Sequence, residues 1–171
     1  MEAPQYPVGP NPKEEEQPSR EEQIKLIEKA PQALREAVKG LSDAQLDTKY
    51  KNWTIRQILH HLADSHTNSY ISFKLALTED QPVVYAYDRN KWMDLEESKI
   101  GSAEGPLAQF EGIHKIWAQL MRTLTDEQFA RTYMNPRNNQ LTKLSTALGI
   151  FAWHARHHTG AILWMRENKK V

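Results

Sequence analysis

From Ile55 to about Leu77 the chain contains neither glycine nor proline, and this unbroken stretch restricts its fold more than any other feature. Ile58, Leu59, Leu62, Ser65, Ser69, Phe73 and Ala76 recur there at three- and four-residue intervals. That spacing lines residues along one side of an α-helix and predicts a buried stripe. Thr54, with Gln57 three residues on, has the pattern of a capping box, in which hydroxyl and amide side chains satisfy the first free backbone N–H groups.

Three further segments read the same way. A first helix is predicted to start at Ser19, capped with Glu22, and to carry Ile24, Ile27, Leu34 and Val38 before Gly40 stops it. Pro31 lies inside this segment and is expected to kink or restart the helix, because proline has no N–H to donate. A third helix is predicted from Pro106 to Leu124, with Leu107, Phe110, Ile113, Trp117 and Leu120 inward. The last runs from about Thr142 to Glu167, with Leu144, Leu148, Phe151, Ala155, Ile162 and Met165 on its apolar side. Trp117, Trp153 and Trp164 are most simply core. Four long helices and no convincing strand predict an all-α four-helix bundle over residues 19–171.

The connections are less regular. Ser42 to Gln45 reads as a brief capped turn, Asp126–Phe129 as another, and Asn135-Pro136 as a break. Residues 78–105 hold Pro82, Gly101, Gly105, Tyr85, Tyr87 and Trp92 and read as one long connection, of the kind that serves as a lid or binding loop. Residues 1–18 carry Pro4, Pro7, Pro10, Pro12 and Pro18 and the run Glu14-Glu15-Glu16. They form an extended arm, either disordered or laid across the bundle through Tyr6 and Val8.

Composition narrows the function. Lys plus Arg and Asp plus Glu are 22 each, so the basic excess that phosphate binding requires is missing and nucleic acid is not an expected partner. No run approaches the roughly 18 apolar residues of a membrane span, and the N-terminus has no secretory pattern, so a cytoplasmic location is expected. With no cysteine in the chain, disulfides, thiolate metal sites and cysteine nucleophiles are excluded. Any metal must be held by nitrogen and oxygen.

The seven histidines supply the nitrogen. His60, His61 and His66 fall in the second helix and His154, His157 and His158 in the fourth; His114 lies apart. His154 and His158, four residues apart, point the same way and can share an ion; His154 and His157 could also do so. Phe151, Ala161 and Met165 make the face of His154 and His158 apolar, hence inward, whereas His157 beside Arg156 belongs nearer an edge. His61 sits among Ile58, Leu62 and Ser65 and should point inward as well. His60 groups with Asp64 and Thr67 on a more polar side. His66 lies about 140° around the helix from His61 and is not expected to join it. Asp64 either orients His61 from the next turn or is solvated. Three converging imidazoles suit zinc or nickel and leave a coordination position for water or substrate. The competing reading is a set of ordinary core histidines.

The stretches Trp53-Thr-Ile-Arg-Gln-Ile-Leu-His-His-Leu-Ala-Asp-Ser-His-Thr-Asn68 and Phe151-Ala-Trp-His-Ala-Arg-His-His158 resemble the YfiT branch of the DinB-like superfamily. So do Tyr6-Pro7-Val8-Gly9 and the loop around Tyr87-Asp88 and Trp92. The resemblance implies a four-helix bundle, a homodimer, and one divalent transition metal per chain on His61, His154 and His158, zinc ahead of nickel. It prefers His61 to His60 and His158 to His157, in agreement with the helix faces. Ala161 and Asn135 stand where relatives often have histidine, so those positions offer no imidazole here. The branch implies metal-dependent hydrolysis of a small-molecule substrate. Related members of the superfamily imply the alternative, transfer of a low-molecular-weight thiol such as bacillithiol to an electrophile. A third reading is a stress-response bundle whose metal is structural. No proton acceptor for hydrolysis is identified from the sequence.

Overall fold

The computed structural model describes residues 2–169 and 171. A single 3-10 turn at Glu14–Glu16 lies in the arm, and the chain then forms α1 (Arg20–Val38), α2 (Asp43–Leu46), β1 (Lys49–Tyr50), β2 (Trp53–Thr54) and α3 (Ile55–Thr78). Next come α4 (Arg89–Met93), α5 (Glu96–Ile100), α6 (Glu104–Arg122) and α7 (Asp126–Ala130). The chain ends with β3 (Thr132–Asn135), β4 (Gln140–Lys143) and α8 (Leu144–Asn168). The four long helices α1, α3, α6 and α8 make the bundle. α1 packs on α6 and α8, and α3 packs on the same two, so α1 and α3 occupy opposite corners.

The starts of these helices follow from side-chain chemistry. Ser19 with Glu22, Ser42 with Gln45, Thr54 with Gln57, and Thr125 with Gln128 all form reciprocal capping boxes, each contributing about 1 kcal/mol by satisfying N–H groups that have no helical partner. α1 continues through Pro31, which is buried, instead of restarting there. The proline forfeits one hydrogen bond without ending the helix, since Ile27, Ala30 and Leu34 around it are all buried and packing outweighs the local loss.

Two differences from the sequence reading concern the connections. Residues 78–105 are not a continuous loop: α4 and α5 lie within them, and the Gln57 amide donates to the Met93 carbonyl at 2.7 Å, tying this segment to α3. Four short strands form two antiparallel hairpins, β1–β2 and β3–β4. The second occupies positions assigned to a break and to the start of the last helix, so α8 begins at Leu144 rather than Thr142. Strands this short carry too few residues for an alternating pattern to register. Among the described residues no helix is long and apolar enough to cross a membrane.

The interior has two apolar clusters rather than one. The first joins Leu34, Ile58, Leu62, Phe110 and Ile162; the second joins Ile24, Phe73, Trp117 and Leu148. Along α3, α6 and α8 the inward histidines fall where one cluster gives way to the other. The bundle therefore has a polar waist between two greasy ends, and the site is built there.

The arm lies against α8. Trp153 Nε1 donates to the Gly9 carbonyl at 3.0 Å, and the Tyr50 hydroxyl donates to the Pro4 carbonyl. Gly149 and Gly160 make room for the contact. A methyl group on Gly160 would stand 2.8 Å from Val8 Cγ1, and one on Gly149 only 1.9 Å from Gln17 Oε1. Being about three turns apart, they share one face of α8.

Candidate metal centre

His61 points inward from α3, and His154 and His158 from successive turns of α8, as their spacing predicts. Their Nε2 atoms meet: His61 to His154 is 3.1 Å and His158 to His154 is 3.2 Å. One nitrogen from each of the three residues lies within 4.8 Å of the others. Metal–imidazole bonds are about 2.0–2.1 Å, and two such bonds span 3.1 Å at an angle of about 100°. The spacing is thus that of ligands on one face of a tetrahedral or octahedral ion. Burial holds the imidazoles neutral. It pushes the pKa of His61 down to about 3, with the positive charges of Arg89 and Arg137 adding to the effect. Burial likewise lowers His154 and His158 well below the ordinary value. Neutral imidazoles keep the lone pairs a metal needs, so the donor set fits a divalent transition ion. Among the described residues no fourth histidine or carboxylate joins the group.

The Nε2 cluster faces open space on two sides. A cleft of about 560 Å³ is bounded by the arm residues Gln5 and Tyr6, by Trp53, by Arg89, and by Trp153 and His157. A second chamber of about 310 Å³ lies beyond His61 and His154, lined by Ser65, Ser69, Tyr87, Tyr133 and Arg137. Arg89, His61 and His154 border both. The Trp53 ring covers His61, centroid to centroid 4.6 Å, and also lies alongside His158 at 6.4 Å.

The remaining candidates separate. His157 is not merely an edge residue: it stacks on Trp153 at 4.7 Å and lines the cleft. Trp153 is itself a cleft wall rather than core. His60 is half-buried near Gly101, its Nε2 without a partner, and does not reach the cluster. Asp64 does not orient His61, whose Nδ1 is buried with no partner; burial and the neighbouring Glu97 raise its own pKa to about 6. Of the connection aromatics, Tyr87 packs on Trp92 at 4.2 Å and Tyr85 is 74% exposed. His66 stands outside the group of three, and its Nε2 lies 3.2 Å from His154 Nδ1. His114, set apart in the sequence reading, lies 2.9 Å from the other side of His66.

Comparison with known proteins identifies the family. The DinB superfamily model matches residues 26–162. The chain belongs to this superfamily. YfiT of Bacillus subtilis is 44% identical over 162 residues, covering 92% of this chain and 90% of that protein. Its solved structure, described as a probable metal-dependent hydrolase with an unusual four-helix bundle topology, superposes with a TM-score of 0.91 at 42% identity, over 96% of this chain and 97% of that one. The superfamily member therefore falls in the YfiT branch. A Bacillus thuringiensis relative bearing the same metal-dependent hydrolase description is 44% identical over 146 residues, 84% of this chain and 83% of its own. A mycothiol-dependent maleylpyruvate isomerase shares the fold alone, with a TM-score of 0.66 at 14% identity over 81% of this chain and 58% of the other.

Proposed function

We propose that this superfamily member is a metal-dependent hydrolase of a small anionic substrate, with a zinc or nickel ion held by His61, His154 and His158. The observation that carries the reading is the convergence of three Nε2 atoms at ligand spacing on an open cleft. A divalent ion bound by three neutral imidazoles acts as a Lewis acid and lowers the pKa of water to about 7. The lack of a fourth protein ligand among the described residues favours catalysis over a structural role.

The anionic character of the substrate rests on the walls. The three ligands carry no negative charge to offset the ion. Arg89 borders both chambers and Arg137 the smaller one, and neither has an ion-pair partner among the described residues. Arg137 is held by donation from Nη2 to the Tyr87 carbonyl at 2.5 Å, which leaves the rest of its guanidinium free for a carboxylate or phosphate. We assign the proton-accepting role in hydrolysis to His157, which lines the cleft outside the ligand set.

The test is elemental analysis of protein purified without a metal-affinity tag, beside His158→Ala, followed by assay on activated esters and amides of small anionic acids. Expected results are about one metal per chain, strong loss of metal in the variant, and metal-dependent cleavage without added thiol. Unchanged metal content in His158→Ala overturns the site. Turnover that appears only when a low-molecular-weight thiol is supplied overturns hydrolysis in favour of thiol transfer.

A further inference from the structure

Four groups run in file from α1 to the metal centre. The Ile27 carbonyl lies 2.6 Å from His114 Nδ1, His114 Nε2 lies 2.9 Å from His66 Nδ1, and His66 Nε2 lies 3.2 Å from His154 Nδ1. His66 and His114 are buried, at 0% and 1% exposure, so water cannot substitute for any partner in the file. From these contacts we propose that His114 and His66 are positioning residues that fix the proton of His154 on Nδ1, so that Nε2 is the nitrogen it presents to the metal.

The reasoning starts from the one group whose role is not open to choice. A carbonyl can only accept, so His114 Nδ1 must carry a proton and donate to Ile27. A neutral imidazole has one N–H, which leaves His114 Nε2 as an acceptor. His66 Nδ1 must then donate to it, and by the same rule His66 Nε2 accepts. His154 Nδ1 is therefore the donor, and its Nε2 lone pair is aimed at His61 and His158. Each link passes the constraint on unchanged; no other assignment of protons to three neutral rings satisfies all three contacts.

The anchor is available because of the proline in α1. In a helix the Ile27 carbonyl would accept from the N–H of residue 31, and residue 31 is Pro31, which has none. The residue that breaks the helical ladder leaves an acceptor without its intrahelical donor, and His114 of α6 fills the gap from across the core. Further packing holds the rings in register. Phe110 lies against His114 at 3.9 Å, and Phe151 meets His66 edge-on at 5.0 Å.

Histidine ligands in metal sites are oriented by the partner of their other ring nitrogen, and loss of that partner lowers metal affinity about 10–100-fold. Two measurements test the assignment, and only the second rests on the metal reading. Two-bond proton–nitrogen correlation spectra of the metal-free, histidine-labelled chain should show His154 protonated at Nδ1 and bare at Nε2. Zinc competition against a chromogenic chelator should show His66→Phe weakened by about 10–100-fold. His66→Gln, whose side-chain oxygen can still accept from His154 Nδ1, should stay within about fivefold of the parent, while His114→Phe should give a mixture of His154 tautomers and an intermediate loss.

A parent His154 protonated at Nε2, or a folded His66→Phe that binds zinc as tightly as the parent, overturns the relay while leaving the metal site standing. Failure of the parent to bind zinc or nickel overturns the metal reading instead, and the spectrum alone then decides the tautomer. The spectrum needs no variant, so a misfolded substitution does not remove the test.

Discussion

The indole of Trp53 lies over the imidazole of His61, with ring centroids 4.6 Å apart. Trp53 sits in the short hairpin just before α3 and His61 two turns into it, so the fluorophore and a proposed ligand are held together by the start of one helix. Nickel added to metal-free protein should therefore quench tryptophan emission, and Trp53→Phe should remove most of that change. Steady-state emission spectra at matched concentrations check this. Equal quenching in the variant would place the ion away from His61.

Arg89 makes a second prediction. It is exposed and borders both chambers beside the ligand set. Arg89→Gln in the zinc-loaded protein should weaken binding of inorganic phosphate by about fivefold, the loss of ~1 kcal/mol expected when a solvent-screened, charge-assisted hydrogen bond is removed. Calorimetric titration measures it, with zinc content unchanged as the control. Phosphate binding that ignores the substitution would argue against an anionic substrate.

The contact between Gly160 and the arm can be broken without touching the core. Gly160→Leu has no room beside Val8, where even a methyl group would come within 2.8 Å, so the arm should lift from α8. Leucine is the better helix former by roughly 0.8 kcal/mol, which limits any loss in the bundle itself. Limited proteolysis after Lys13 should accelerate several-fold while the unfolding free energy from urea denaturation moves by no more than about 1 kcal/mol. An arm equally resistant in both proteins would contradict the packing.

Acid sensitivity follows from the buried waist. Burial lowers the pKa of His114 to about 4 from an ordinary 6.5, and that of His61 to about 3. Above pH 6.5 both folded and unfolded chains hold these rings neutral, and stability is independent of their titration. Between 6.5 and the folded values the unfolded chain takes up protons that the folded chain refuses, so stability falls as pH falls, by up to roughly 1.4 kcal/mol per pH unit for each such ring. Urea denaturation of metal-free protein at pH 7 and pH 5 should show this loss, and His114→Phe should reduce it. A flat profile would mean the rings are not buried neutral.

Much of the bundle was legible because long helices leave long periodic records. Every residue of the stripe expected on α3 is buried, with Ala63, His66 and Ser72 buried beside it, and the capping boxes marked the starts of α1 and α3. The convergence of the histidine pair was readable for the same reason: four-residue spacing fixes the relation of His154 to His158 before any tertiary contact is known. His66 and His114 were missed although the signal existed. His66 stands four residues after Leu62 and three before Ser69, and His114 four after Phe110 and three before Trp117, so both are on inward faces. What sequence cannot express is that α3, α6 and α8 bring these rings to one level of the core. The role of Pro31 was hidden similarly, since a broken helical bond says nothing of which distant group replaces it. The hairpins escaped because strands of two and four residues repeat an alternating pattern too few times to reveal it.

The arm contributes Gln5 and Tyr6 to the cleft wall, yet among the described residues it supplies nothing to either apolar cluster beyond the edge contact of Ala3. Part of the cleft wall and the packed interior are thereby assigned to different lengths of polypeptide. Substitutions at Gln5 or Tyr6 would reshape the mouth of the cleft while the helices, and the imidazoles they hold, are left as they were.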